Sequence, residues 1–283
     1  MGTSTPFGGP KGGNPLVPDF VNDDGTPVQE PEPQDGEEAP AAPPPRPTPV
    51  QPLTLDRFRS ARRNFTKFAR SGGDDRRALG RAISQYVSQS SGGSGSAAQR
   101  MGSSRSVTAG IARFLGDVSA RGLPAALATF NLASLAGSSA ADILSALVEH
   151  FCPEGGSIDE GIARDAFMET VIDLADAGIT DMANLTPEQM QAVLELYVAH
   201  TIEDRIYNDI GIKGIELPAD LNAVQAVQDQ LHEFILGGVS DAFSEAAIDF
   251  AAINPNAIGQ TVDRIYEASF DILEALGEEE AKK

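Results

Sequence analysis

Residues 186–211 read TPEQMQAVLELYVAHTIEDRIYNDIG, and the class of the fold turns on them. Thr186 stands as a helix cap, Pro187 takes the first helical position, where its missing N–H costs nothing, and Gln189 reaches back to the cap backbone. The helix runs through Tyr197 and Ile206 and ends near Gly211. Upstream the same device recurs in SIDE, where Ser157 and Glu160 start a helix that runs to Gly178. Before it, SSAADILSALVEHF places Ile143, Leu144, Leu147 and Phe151 on one side and stops at Pro153. Ile111, Phe114, Leu115 and Val118 make an earlier stripe ended by Gly122, and Leu127, Phe130 and Leu135 a short one after it. Downstream come a helix around Val224, Val227, Leu231 and Phe234, with Gly237–Gly238 as a candidate break or kink, and a last one around Val262, Ile265, Phe270 and Leu273. Only GIKGIEL, residues 211–217, offers a strand, and it is short. The expectation is an all-α protein, an irregular or orthogonal bundle of about seven to nine helices behind a long disordered N-terminal tail.

The segment 53–105 differs in composition. In LTLDRFRSARRNFTKFARSGG, Leu55, Phe58, Phe65 and Phe68 recur at helical spacing, and Arg57, Arg59, Arg62, Arg63, Lys67 and Arg70 fill much of the rest. Gly72–Gly73 would stop that helix. DDRRALGRAISQYVSQ then opens with Asp74 as the candidate cap, puts Leu79, Ile83, Tyr86 and Val87 on one face, and adds Arg76, Arg77 and Arg81. The run SSGGSGSAAQRMGSSRS, residues 90–106, reads as a loop. Three parts follow: a tail and tether over 1–52, a basic helical segment with its Gly/Ser loop over 53–105, and an acidic helical domain over 106–283.

Charge follows the same division. The formal net charge is −20, yet residues 51–121 hold 13 basic against 4 acidic side chains, and residues 122–283 hold 6 against 29. A basic block of this kind serves either a polyanion or the chain's own acidic half. Arg-rich sequence with interleaved Phe is what a phosphate-tracking helix looks like, and equally an amphipathic helix whose Arg face meets carboxylates. The large acidic surplus favours docking, with any nucleic-acid binding weak. One cysteine, Cys152, cannot form an intrachain disulfide, and no stretch approaches the length of a membrane span. The chain reads as soluble and cytoplasmic.

Catalytic patterns are not found. His150, His200 and His232 lie far apart in the chain and outside any metal-binding spacing; His200 and Glu203 could share a helix face, the usual surface contact. The reading therefore assigns no catalytic residue, no metal and no cofactor. SGGSGSAAQR lacks the GK[ST] ending of a phosphate loop, and Arg100 and Arg105 beside it offer an anion site, against a plain linker. Cys152 reads as a small buried apolar residue.

The chain opens MGTSTPFGGPKGGNPLVPDF, too polar for a signal peptide, and Pro6 breaks the myristoylation pattern. Fourteen of its 19 prolines fall in residues 1–52, where they join acidic residues and almost no aliphatic ones. Such a segment cannot offset its ordering entropy and behaves as a semi-rigid tether.

The opening MGTSTPFGGPKGGNPL, the Pro/Glu tether, and then FTKFARSGG, LGRAISQYV and SGGSGSAAQRMGSSR before a helical body resemble the QatB family of the bacterial QatABCD antiphage defence system. That resemblance implies a non-enzymatic component that works beside an ATPase, a QueC-like enzyme and a TatD-like nuclease. It further implies that the QueC-like enzyme is the direct partner and joins a deazaguanine-type carboxylate to the N-terminal amine. On this reading Met1 is removed, Gly2 is the acceptor, and Thr3, Ser4, Thr5, Pro6, Phe7, Gly8, Gly9 and Pro10 are held by the partner: the hydroxyls hydrogen-bond, Phe7 anchors and the glycines allow close backbone approach. An α-amine with pKa near about 8 is far more often neutral at cellular pH than a lysine near about 10.4. The competing readings are a nucleic-acid-binding adaptor that uses the 57–81 basic surface, and a passive scaffold.

Overall fold

A computed structural model describes residues 57–152, 156–211, 215–246 and 257–283. The expected disorder of residues 1–52, and the whole Gly2–Pro10 segment, lie outside the described residues. Ten α-helices occur among the described residues: α1 (Arg59–Arg70), α2 (Arg76–Gln85), α3 (Ser94–Gln99), α4 (Gly102–Arg121), α5 (Leu123–Ala128), α6 (Ala140–Phe151), α7 (Ile158–Asp176), α8 (Pro187–Ile210), α9 (Leu221–Ala246) and α10 (Ile258–Glu280). Eight have ten or more residues; α3 and α5 are six-residue pieces, which take the total past the expected seven to nine. No strand forms among the described residues, including 215–217 of the GIKGIEL run. The fold is all-α, and no helix in it is long and apolar enough to cross a membrane.

Local chemistry sets several of the helix ends. The hydroxyls of Ser157 and Thr186 accept the backbone N–H groups of Glu160 and Gln189, whose side chains accept the cap N–H in return. Each such cap is worth about 1 kcal/mol. The cap of α2 is Asp75, not Asp74: its carboxylate accepts from Ala78 N at 2.9 Å, because α2 begins two residues after Asp74.

The run 90–106 is a correction to the sequence reading. Instead of a loop it holds the end of a π-helical turn (Tyr86–Ser91), α3 and the start of α4. Ala97, Ala98, Met101 and Ser104 are buried there, so packing overrides the weak helix propensity of Ser and Gly. α9 likewise passes unbroken through Gly237–Gly238; a Cβ on Gly238 would lie 2.8 Å from Leu273, so this glycine serves the close packing of α9 on α10.

α8 and α10 organise the body. α8 packs against α7, α9 and α4, and its six consecutive residues Tyr197–Ile202 are all buried, the mark of a helix enclosed on every side. α10 packs against α2, α9, α3 and α4. At the α2–α10 crossing, Gly80 and Gly277 let backbone meet backbone: a Cβ on either would come 2.6 Å from the other's carbonyl oxygen. The Tyr266 hydroxyl shares hydrogen bonds with Thr108 (3.1 Å) and Thr201 (2.9 Å), pinning α4, α8 and α10 together. Cys152 is buried and its thiol is pushed up to about 12 by that burial, which leaves it inert as expected.

Candidate functional site

The basic residues of α1 and α2 divide by partner. Arg57 lies over the Phe58 ring, 4.7 Å from its centroid, and its Nε and Nη2 are buried without a hydrogen-bond partner among the described residues. Arg62 donates to the Ile210 carbonyl at 2.8 Å, Arg70 pairs with Glu216, Arg77 donates to the Lys283 carbonyl, and Arg81 reaches the Ala281 carbonyl at 3.4 Å. Four of the nine predicted cations thus meet oxygens of the acidic half. On the exposed side of α1, Arg59, Arg63, Lys67 and Arg70 follow one another at helical spacing; Arg63, Lys67 and, on α2, Arg76 point to solvent.

Arg100 and Arg105 do not form an anion site. Arg100 Nη2 donates to Asp209 Oδ2 at 2.6 Å, and Arg105 Nη1 to Asp263 Oδ1 at 2.7 Å. Asp209 is the hub of a buried polar centre at the C-terminal end of α8. Its Oδ2 also accepts the Tyr86 hydroxyl at 2.8 Å, and its Oδ1 lies 3.4 Å from Arg205 Nε, with Arg205 paired in turn to Asp159. Burial, with the Asp209 charge beside it, raises the Tyr86 pKa well above the usual phenol value, so this hydroxyl is a fixed donor.

A second polar centre occupies a cleft between α7, α8 and α9, and sequence reasoning missed it. α7 contributes Glu169 and Asp173, α8 contributes His200, Glu203 and Asp204, and α9 contributes Asp229 and His232. These residues recur at i, i+3 and i+4 on their helices, so each helix turns one polar stripe toward the cleft. His200, on the enclosed part of α8, is 7 % exposed. Its Nε2 lies 2.7 Å from Asp173 Oδ2 and its Nδ1 3.1 Å from Glu169 Oε2. His232 Nδ1 lies 2.9 Å from Glu203 Oε2, and the two imidazole centroids are 4.7 Å apart.

Carboxylates outnumber imidazoles here, and the electrostatics show it. Burial opposes charge on His200, but the hydrogen bonds to Glu169 and Asp173 outweigh it and raise its pKa. Asp204 is pushed up to about 7, first by burial and then by the charges of Glu169 and Glu203. Its Oδ2 is buried without a hydrogen-bond partner among the described residues, as is the hydroxyl of Tyr207 one turn on. Two histidines 32 positions apart carry no spacing signal; the register of α8 against α9 joins them. The only trace in the sequence is His200 with Glu203, a pair that a surface contact explains equally well.

One ligand atom each from Asp173, His200 and His232 lies within 4.8 Å of the other two. This donor set suits a cation, and it is the one such group among the described residues.

Comparison with known proteins gives one match. No curated protein and no solved structure matches the chain. The model of the family described as "QatB: Qat anti-phage system associated protein QatB" matches residues 92–273, more than half of the chain. That span begins at the glycines before α3 and ends inside α10, so it takes in the whole of the second polar centre and all of the first except Tyr86. The chain therefore belongs to the QatB family and is a component of the Qat anti-phage system.

Proposed function

We propose that this protein binds a QueC-like enzyme of the Qat system and presents its N-terminal glycine as the acceptor for a deazaguanine-type carboxylate. The observation that carries the reading is the layout MGTSTPFGGP ahead of a Pro-rich acidic tether, in a chain of this family. Removal of Met1 frees an amine with no side chain beside it, small enough to follow a narrow channel. The neutral Gly2 nitrogen attacks the activated carboxyl carbon; an amide bond forms, the activating group leaves with its oxygen, and the nitrogen gives up a proton. A tether of about 40 residues reaches on the order of 35 Å even as flexible coil, so the body can dock while the tail enters the partner. Ordering the tail costs free energy, and contacts of the helical body offset it. The ATPase and the TatD-like nuclease complete the assembly in this reading.

Intact mass of the protein co-expressed with and without the QueC-like enzyme tests it. A mass increase confined to the N-terminal peptide is expected, and Gly2→Trp or one residue added before Gly2 should abolish both the increase and phage protection. Full protection by both variants, with an unmodified N-terminal peptide in the native protein, would overturn the acceptor role.

The adaptor reading rests on the solvent-facing Arg63, Lys67 and Arg76. It expects DNA binding that weakens steeply with salt and is lost in the triple alanine variant. Binding unchanged in that variant would remove it.

A further inference from the structure

We propose that Asp173, His200 and His232 form a binding site for one divalent first-row transition-metal ion, with Zn2+ the best match to the donor set. Three helices converge to supply it: α7 brings the carboxylate, α8 and α9 one imidazole each. Two imidazoles and one carboxylate are the wrong donors for Ca2+ or Mg2+, which take oxygen cages, and the right ones for zinc or iron. Ligand atoms around a tetrahedral zinc sit about 3.4 Å apart, given metal–ligand bonds of about 2.1 Å. Atoms already within 4.8 Å of one another reach that geometry through side-chain rotation.

The surroundings argue the same way. Each histidine has its Nδ1 against a glutamate, Glu169 for His200 and Glu203 for His232, which leaves Nε2 as the metal-facing nitrogen. A carboxylate behind a ligating imidazole is the usual outer support of such sites, because it fixes the ring and its tautomer. His200 Nε2 lies 2.7 Å from Asp173 Oδ2, a hydrogen bond that needs a proton between them. The cation takes the place of that proton, so binding releases it to solvent. Asp204 and Asp229 line the same cleft, and Asp204 Oδ2 is buried there without a hydrogen-bond partner among the described residues. Three protein ligands in an open cleft leave a fourth position for water or for a side chain of a partner.

The experiment uses the untagged full-length chain, stripped with a chelator and titrated with ZnCl2 in a calorimeter. One ion per chain is expected, with a dissociation constant in the micromolar range or tighter, proton release into the buffer, and no heat from MgCl2 or CaCl2. His232→Gln and Asp173→Asn should each weaken binding at least tenfold, while His150→Gln, an exposed histidine elsewhere, should leave it unchanged. Circular dichroism reports whether the variants fold. Should one fail to fold, the visible spectrum of the Co2+-loaded wild-type protein decides, with bands of a four- or five-coordinate nitrogen and oxygen site expected. Binding only at millimolar zinc, binding that His232→Gln leaves intact, or a spectrum of hydrated Co2+ would each overturn the proposal.

Discussion

At Asp209 one carboxylate accepts from Tyr86 and Arg100 and lies beside Arg205; at His200, nine residues earlier on the same helix, two imidazoles face five carboxylates. Both centres draw on charged side chains of α8, and both are at least partly buried. In the first the carboxylate is met by cations, and it joins the π-helical turn after α2 and the residue after α3 to α8, so that the basic segment is docked on the acidic one. The second has carboxylates in excess, with Asp204 Oδ2 lacking a hydrogen-bond partner among the described residues and the Asp204 pKa raised to about 7. Buried ions kept for structure are neutralised by fixed partners, whereas a buried surplus of one sign calls for a partner that arrives from outside.

The sharpest way to break this contrast is to remove the hub. Asp209→Ala leaves Arg100 and the Tyr86 hydroxyl without this acceptor and Arg205 with Asp159 alone. A loss of about 3–5 kcal/mol is expected in equilibrium urea unfolding. A loss below about 1 kcal/mol would mean that the centre is not the clamp described here.

Asp204→Asn tests the other side, in chelator-treated protein. Glu169 and Asp173 face Asp204 from α7, His200 and Glu203 from α8, and Asp229 and His232 from α9. Its pKa is raised to about 7 in the folded state, above its ordinary value, so the folded protein holds the proton where the unfolded chain has lost it. This group's contribution to stability therefore falls as pH rises from about 4 to about 7 and is level above that. The substitution should flatten that slope and stabilise the protein at pH 8 by on the order of 2 kcal/mol, allowing for solvent screening of a partly exposed group. Melting curves across pH check it; an unchanged slope would assign the effect elsewhere.

Arg70→Ala calibrates both. Its partner Glu216 and Arg70 itself are 67 % and 62 % exposed, so the pair is worth less than about 0.5 kcal/mol and that little should fade in salt. A larger, salt-resistant loss would show that burial is not what separates the strong pairs from the weak.

Much of the architecture was legible from residues that act within one or two turns of themselves. Ser157 with Glu160, Thr186 with Pro187 and Gln189, and the apolar spacing of Leu79, Ile83, Tyr86 and Val87 each fix a local outcome that the structure bears out. The stretch 90–106 was not legible, since Ser and Gly signal a loop unless something buries Ala97, Ala98 and Met101, and that something is α10 with its neighbours. The glycines at 80 and 277 give no sign in sequence that they are each other's contact.

By itself, then, the sequence determined the long helices, several of their ends, the partition of charge and the likeness of the chain to its family, because these depend on neighbours in the chain or on composition. Tertiary structure alone decided which charges would meet. Arg100 finds Asp209 across 109 positions, and His200 finds His232 across 32, only after α8 has been enclosed by α4, α7 and α9 in one register. A shift of α9 by one turn would leave every local signal intact and dissolve the histidine centre, since the pairing is set by the packing of whole helix faces and by nothing within either helix.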